Sequence, residues 1–475
     1  VEFMDNNNKY LFYIDTLSEH EIKQARDLRR KKHKQGQIIA WVVLVAAVLI
    51  IGTGLFFAGR VLARHFFGTG EKAAVSDDAD VTEPGGDGDS VIDDLFGEEE
   101  IVSVPPSEPK DDTPTEEDLF EEAIRNYVRA MTVEEQVMGL FIVTPEQITG
   151  VSAAIKAGDG TKKALEEYPV GGLIYSDKNM LDPDQFKTMI AGTKSFAKYP
   201  LFLAVDERLG KSVFPAKMKV AAVKSATEIA ATGDAAVAFE EESKIAGYLS
   251  DFGLNLNLGI VADIYREPAE GETLPAFSFG TDTNTVSEMV VKSVQAVRAS
   301  GMYSAVTAFP GQGYASADTS EAIASNERTR EEMDACELIP FKAAADAGVT
   351  MFVISHESVP GLSEENVYAS QSKAVMTNII RMDMGLDDVI IITDDLTKTA
   401  ISAYFESGEA CIASLKAGAD MLLKPEDFGA AYADVLNAVN TGVIAHERIE
   451  DSLVRIYKVK FAGMTADEVN AMTAQ

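Results

Sequence analysis

From about residue 120 onward, short runs of consecutive apolar residues alternate with stretches of helical spacing. The runs are GLFIV (139–143), VGGLIYS (170–176), PLFLAVD (200–206), NLNLGIVADI (255–264), YSAVTAFP (303–310), VTMFVISH (349–356), DVIIITDD (388–395) and ADMLLKP (419–425). Between the fourth and fifth runs, Val286, Met289, Val290, Val294 and Val297 recur at the period of one helix face. Continuous apolar runs joined by helical crossovers predict a parallel sheet buried on both faces. Eight such units predict an α/β fold of the (β/α)8, TIM-barrel type. No G-x-G-x-x-G follows the first run to favour the alternative, an open doubly wound sheet.

A different pattern precedes the barrel. Residues 38–58, IIAWVVLVAAVLIIGTGLFFA, carry no charge over 21 positions. As an α-helix they span roughly 30 Å, the thickness of a bilayer core. Seven Lys/Arg lie within residues 22–36 and three within 59–73, so the positive-inside rule puts the N-terminus in the cytoplasm and the barrel outside. The expected organisation is a basic cytoplasmic segment (1–37), a single transmembrane helix (38–58), a disordered acidic extracytoplasmic linker (59–117) and the barrel (118–475). Within and beside the linker, VIDDLF (91–96) and EEDLF (116–120) read as apolar residues scattered by chance rather than as partner-binding motifs.

The chain holds 76 Asp+Glu against 42 Lys+Arg, a net charge of −34 over 475 residues. Residues 71–122 hold 20 acids and only two bases, so more than half of the excess lies in or beside the linker, where few large apolar residues could offset the entropy of ordering. Such a charge argues against a nucleic-acid partner, which needs a basic footprint. The two cysteines, Cys336 and Cys411, exclude a disulfide framework, and neither stands in a C-x-x-C pair. No D-x-D-x-D-G loop with a distal Glu points to calcium.

Asp206, Asp263, Thr307, His356, Asp394 and Lys424 all fall at or just after the ends of apolar runs. In a barrel these ends form the face that carries the active site. A single Asp there serves equally well as a helix N-cap; the convergence of several points to a site.

The motifs resemble the N-terminal barrel domain of glycoside hydrolase family 3, in its single-domain β-N-acetylhexosaminidase branch. MTVEEQVMGLFIV (131–143), VGGLIYSDKN with Gln185 downstream, PLFLAVDERLGKSVF, LNLGIVADI, SFGTD, FPGQG, His356 followed by Pro360, and IIITDDLTKTAI match in order and spacing, up to about Met464. The resemblance implies retaining hydrolysis of a glycan containing N-acetylglucosamine, such as cell-wall glycan, with no cofactor, and the lack of zinc and calcium motifs gives no reason to expect a metal. It assigns Asp394 to the nucleophile position, and Asp395 beside it suits the N-cap of the next helix. The branch's Asp-x-His loop reads Asp318-Thr319-Ser320, so Asp318 keeps the orienting position while Ser320 stands where the acid/base His is expected. Glu321, next to it, is a possible substitute acid, but an exposed Glu at a helix start is its ordinary explanation.

Substrate-holding positions implied by the resemblance are Asp206, Lys211, Asp263, Gln312 and His356. Lys211 replaces an Arg, Phe277 stands where the family has an Arg, and Thr307, Ala308 and Gln312 stand where it has Lys, His and His. Gly171, Gly172, Gly280, Pro310, Gly311 and Gly313 all match. Three functions follow: a divergent glycosidase, a catalytically silent barrel binding glycan or a cell-envelope protein, and a membrane-linked scaffold. For the topology, Asn8→Cys and Ser90→Cys variants in intact cells are expected to react with an impermeant thiol reagent at position 90 and not at position 8.

Overall fold

The computed structural model describes residues 114–363 and 367–473. The expected membrane span at 38–58, its flanking segments and the VIDDLF stretch lie outside those residues. Among the described residues no helix is long and apolar enough to cross a membrane.

The eight apolar runs form eight parallel strands: β1 (Phe141–Val143), β2 (Gly172–Ile174), β3 (Phe202–Val205), β4 (Leu256–Val261), β5 (Tyr303–Phe309), β6 (Met351–Ile354), β7 (Ile390–Thr393) and β8 (Leu422–Leu423). Neighbours in sequence are neighbours in the sheet from β1 to β7, and β8 pairs back onto β1, with Phe141 opposite Leu422. The β7–β8 seam is closed by a parallel bridge between Ile392 and Met421. Thr393 N–H also donates to the Met421 carbonyl at 3.1 Å, and Leu396 N–H to that of Leu423 at 3.0 Å. The ring of strands is thereby complete, as the run count predicts.

All strand residues except Tyr303 are buried, which is why the runs are apolar without alternation. The crossovers bury one stripe each. In the helix Thr283–Ala299 the five residues of the predicted face are all buried, and Asp282 caps its start by accepting from Thr285 N–H at 2.8 Å.

The first described helix, Glu116–Arg129, corrects the reading of EEDLF. Thr115 and Asp118 form a reciprocal capping box, so the helix begins two residues inside the expected linker. Ala123, Ile124, Tyr127 and Val128 are buried, and Tyr127 meets Tyr457 and Phe461 edge-on at 5.1 and 5.0 Å. The segment is a structural part of the barrel's outer layer.

At the face opposite the candidate site, Asp420 is fully buried beside the start of β8. Its Oδ2 accepts from Arg381 Nη2 at 2.6 Å and Ile391 N–H at 2.9 Å; its Oδ1 accepts from Ser452 Oγ at 2.8 Å and Arg455 Nη1 at 3.2 Å. Arg448 approaches to 3.7 Å. One carboxylate thus joins β7, β8 and the helix His446–Lys460. Removing it leaves three partly buried guanidinium groups without their counter-charge, and breaking such a pair typically costs about 3–5 kcal/mol. Asp420→Ala is expected to lower unfolding free energy by that order in urea titration.

Candidate active site

The C-terminal ends of the strands open into a cavity of about 1090 Å³, at the upper end of the roughly 300–1,000 Å³ usual for small-molecule pockets. Asp206, Lys211, Asp263, Gln312, Asp318, Ser320 and Asp394 all line it, so seven of the eight residues assigned from sequence are brought together. The eighth, His356, is fully buried and lies outside the cavity wall. Its Nε2 lies 3.1 Å from the Asp395 carbonyl and its Nδ1 2.8 Å from Ser370 Oγ. A carbonyl can only accept, so Nε2 carries the hydrogen and Nδ1 accepts from Ser370. Burial pushes the imidazole pKa down, and the neutral ring supports the β7 loop from beneath.

Asp394 ends β7. Its N–H donates to the Ile354 carbonyl at 2.9 Å, fixing the backbone, while Oδ1 accepts from Asp395 N–H at 2.7 Å. Lys398, one helical turn on, places Nζ 2.5 Å from Asp394 Oδ2. Burial alone would raise the carboxyl pKa, yet the Lys398 ammonium and the Asp395 N–H hold it well below the usual carboxylate range. Asp395 does not cap the next helix: that helix, Thr399–Ser402, has Lys398 at its N-cap. Asp395 instead accepts from Thr397 N–H and Oγ1, at 3.0 and 2.6 Å, and forms an ion pair with Lys424.

The loop after β3 is a tight turn closed by Arg208 and Lys211, whose backbones exchange hydrogen bonds of 3.3 and 3.0 Å. Gly210 makes the turn at φ +81°, where a Cβ would also fall 2.5 Å from the Ala276 carbonyl oxygen. Arg208 grips Asp206 with two bonds, Nε to Oδ1 at 2.7 Å and Nη2 to Oδ2 at 3.0 Å. Its guanidinium lies 5.6 Å from the Phe277 ring centre. Burial disfavours the charge, but Asp206, Asp394 and Asp263 more than offset it and raise its pKa. Beneath the turn, buried Glu207 accepts from Tyr248 OH at 2.8 Å and from Ser212.

Asp263 follows β4 and its Oδ1 accepts from the N–H groups of Ala308 and Gln312 at 3.2 and 3.0 Å. It thus holds the backbone of the loop after β5. Farther along that loop, Asp318 accepts from Ser320 N–H at 2.7 Å. Buried Thr319 between them accepts from Gln312 Nε2 at 3.3 Å and Lys398 Nζ at 3.4 Å. Burial opposes ionisation of Asp318, but the Ser320 hydrogen bonds, Lys398 and Lys211 lower its pKa. Ser320 is exposed on the rim. Glu321 is also exposed, stands on a turn rather than at a helix start, and does not line the cavity.

Two cations at the mouth escaped the sequence reading. Lys398 was signalled only by its i, i+4 spacing from Asp394, and Arg208 only by its position two residues after Asp206. Among the described residues no group of three or more His, Cys, Asp or Glu is placed to hold a metal ion.

Comparison with known proteins agrees with this architecture. The family model described as "Glycosyl hydrolase family 3 N terminal domain" matches residues 132–459. Beta-hexosaminidase A of Pseudoalteromonas piscicida is 25% identical over 325 residues, covering 62% of this chain and 54% of that protein. A beta-hexosaminidase of Methylobacillus flagellatus is 25% identical over 260 residues, covering 54% and 73%. The chain spans about half the length of the first curated relatives it matches. Among solved structures, a glycoside hydrolase family 3 β-N-acetylglucosaminidase from Paenibacillus sp. superposes with a TM-score of 0.64 at 26% identity, covering 72% of this chain and 68% of that one.

Asp263 gives the site a pH signature. Burial raises its pKa to about 6 from an ordinary 3.8. Between those values the folded state binds more protons than the unfolded, so this carboxyl makes stability fall as pH rises from about 4 to 6, by an amount on the order of 2–3 kcal/mol. Asp263→Asn keeps an oxygen for both N–H groups, and is expected to flatten that part of the stability-against-pH curve in denaturant titrations.

Proposed function

We propose a function from one premise: the chain belongs to glycosyl hydrolase family 3. The barrel takes a β-linked N-acetylglucosamine unit of a glycan into its mouth and cleaves it slowly, with retention, through Asp394. The carrying observation is the position of Asp394: a buried, ionised carboxylate at the end of β7, opening into the one mouth cavity shared by Asp206, Asp263 and Asp318. The names of the hexosaminidase relatives supply the sugar class.

In this mechanism Asp394 attacks the anomeric carbon and a glycosyl-enzyme forms, which water then hydrolyses. Protonation of the leaving oxygen is the weak step. A serine hydroxyl at 320 titrates far above neutrality, and a positioned acid/base contributes typically 10²–10⁴-fold. Sugar recognition falls to Asp206 with Arg208, to Lys211 over the Phe277 ring and to Gln312. On the charge asymmetry around 38–58, the barrel is held outside the cell membrane by one helix with a cytoplasmic N-terminus, facing envelope glycan. A second reading, a silent glycan- or protein-binding module at the cell surface, is favoured by Ser320 together with the Lys398 ion pair on Asp394.

One set of assays separates the two. A glycosidase limited by protonation cleaves 2,4-dinitrophenyl N-acetyl-β-glucosaminide far better than N-acetylglucosamine oligosaccharides, because the activated leaving group needs little help. Ser320→His is expected to raise turnover of the oligosaccharides by about 10–10²-fold, with Asp318 beside it to orient the ring, and Asp394→Asn to abolish turnover of both. No turnover of the aryl glycoside by wild type, with oligosaccharide binding unaffected by Asp394→Asn, would leave the binding-module reading standing.

A further inference from the structure

Lys398 lines the mouth and touches the nucleophile position, yet the hydrolytic reading gives it no task. Its ammonium reaches two elements at once, Asp394 Oδ2 at 2.5 Å and Thr319 Oγ1 at 3.4 Å. Thr319 is itself buried and pinned to the same segment, since Ala400 N–H donates to its carbonyl at 3.1 Å. Lys398 therefore ties the attacking carboxylate to the loop that bears Asp318 and Ser320. The charged groups facing it are Asp394, Asp318 and Arg208. Burial opposes its positive charge, but the two acids more than offset burial and Arg208, so its pKa is raised and it stays protonated through the neutral range.

We propose that Lys398 is an electrostatic brake, a positioning residue that suppresses attack by Asp394 while leaving glycan binding in place. The inference rests on the reading of Asp394 as nucleophile. In the first step an Asp394 oxygen bonds to the anomeric carbon as the glycosidic C–O bond breaks. The bonding pair leaves with the aglycone oxygen, which takes a proton from water unless its pKa is low. In the second step water attacks the anomeric carbon, gives up its proton to solvent, and releases Asp394 as carboxylate. Both transition states place positive charge on the sugar ring.

The ammonium opposes this in two ways of the same sign. It engages the Oδ2 lone pairs and lowers the nucleophilicity of the carboxylate, and it sets a like charge about one ring's width from the developing cation. At roughly 5 Å and an effective dielectric near 20, that repulsion alone corresponds to a rate factor on the order of 10². The ground-state sugar is uncharged and feels little of it, so the effect falls on kcat.

The test uses the full chain in detergent. Lys398→Met removes the charge at similar length, Lys398→Gln keeps a donor without the charge, and Lys398→Arg keeps the charge. With 2,4-dinitrophenyl N-acetyl-β-glucosaminide, Met and Gln are expected to raise kcat by 10–10²-fold with KM within about threefold of wild type. Intact-mass measurement of quenched reactions should show more glycosyl-enzyme in these variants. Arg should stay at the wild-type rate. Calorimetry with an N-acetylglucosamine oligosaccharide should give unchanged affinity throughout. Measurable wild-type turnover and normal binding with no rise in kcat for either neutral variant overturns the brake alone. A rise in Arg equal to that in Met overturns it too, since packing rather than charge would then be responsible. Absence of aryl-glycoside turnover in wild type and every variant, whether or not the oligosaccharide binds, overturns the hydrolytic reading, and the brake with it.

Discussion

A closed sheet buried on both faces has nowhere to put a charge except at the ends of its strands, and that constraint organises this molecule. The backbone bonds across the β7–β8 seam remove the last edge. Side chains along the strands are then mostly apolar, with buried Asn257, Ser304 and Thr307 among the exceptions, and the charged residues accumulate at the two rims. One rim holds the fully buried acid Asp420 under its arginines. The other gathers Asp206, Asp263, Asp318, Asp394 and Asp395 around one cavity. The first arrangement joins elements; the second leaves a space that a ligand can enter.

The mouth does not carry the acidity of the chain as a whole. Three of its carboxylates each have a dedicated cation: Arg208 on Asp206, Lys398 on Asp394 and Lys424 on Asp395. An unpaired carboxylate in such a place loses hydration without replacement. Asp263 meets the same demand differently, with two backbone N–H groups, and these balance burial only in part, which leaves its pKa high. Pairing that satisfies the folded state is not neutral for chemistry, because an ammonium on a nucleophile stabilises the resting carboxylate more than the attacking one.

What the sequence made legible tracks what depends on local pattern. The eight strands were readable because each is a continuous apolar run, and Asp394 because it ends one; Asp318 and Ser320 were placed only by the resemblance of their loop to the family's Asp-x-His segment. The first helix starts at Glu116, two residues ahead of the expected boundary; the acids of residues 116–122 blend into the acidic stretch before them, and the Thr115–Asp118 capping box is the signal that separates them. His356 was read as a mouth residue because it follows β6 by two positions, but the Ser370 hydroxyl and the Asp395 carbonyl draw its ring inward. Lys398 and Arg208 were missed because an ion pair is decided by how a turn folds, which spacing along the chain does not reveal.

This difference also governs what retained scaffold residues can be taken to mean. A Cβ on Gly313 would fall 2.0 Å from the Ile264 carbonyl oxygen, so the loop after β5 needs glycine there to lie against the chain beyond β4, whatever the site does. The side chain of Ser320 is exposed on the cavity rim and meets no such demand, so it is free to change at little cost to the barrel. Retained glycines therefore report that the barrel closes, and replaced mouth residues report on its chemistry. Evidence about turnover has to come from the groups within bonding distance of Asp394, and among those the nearest is a cation.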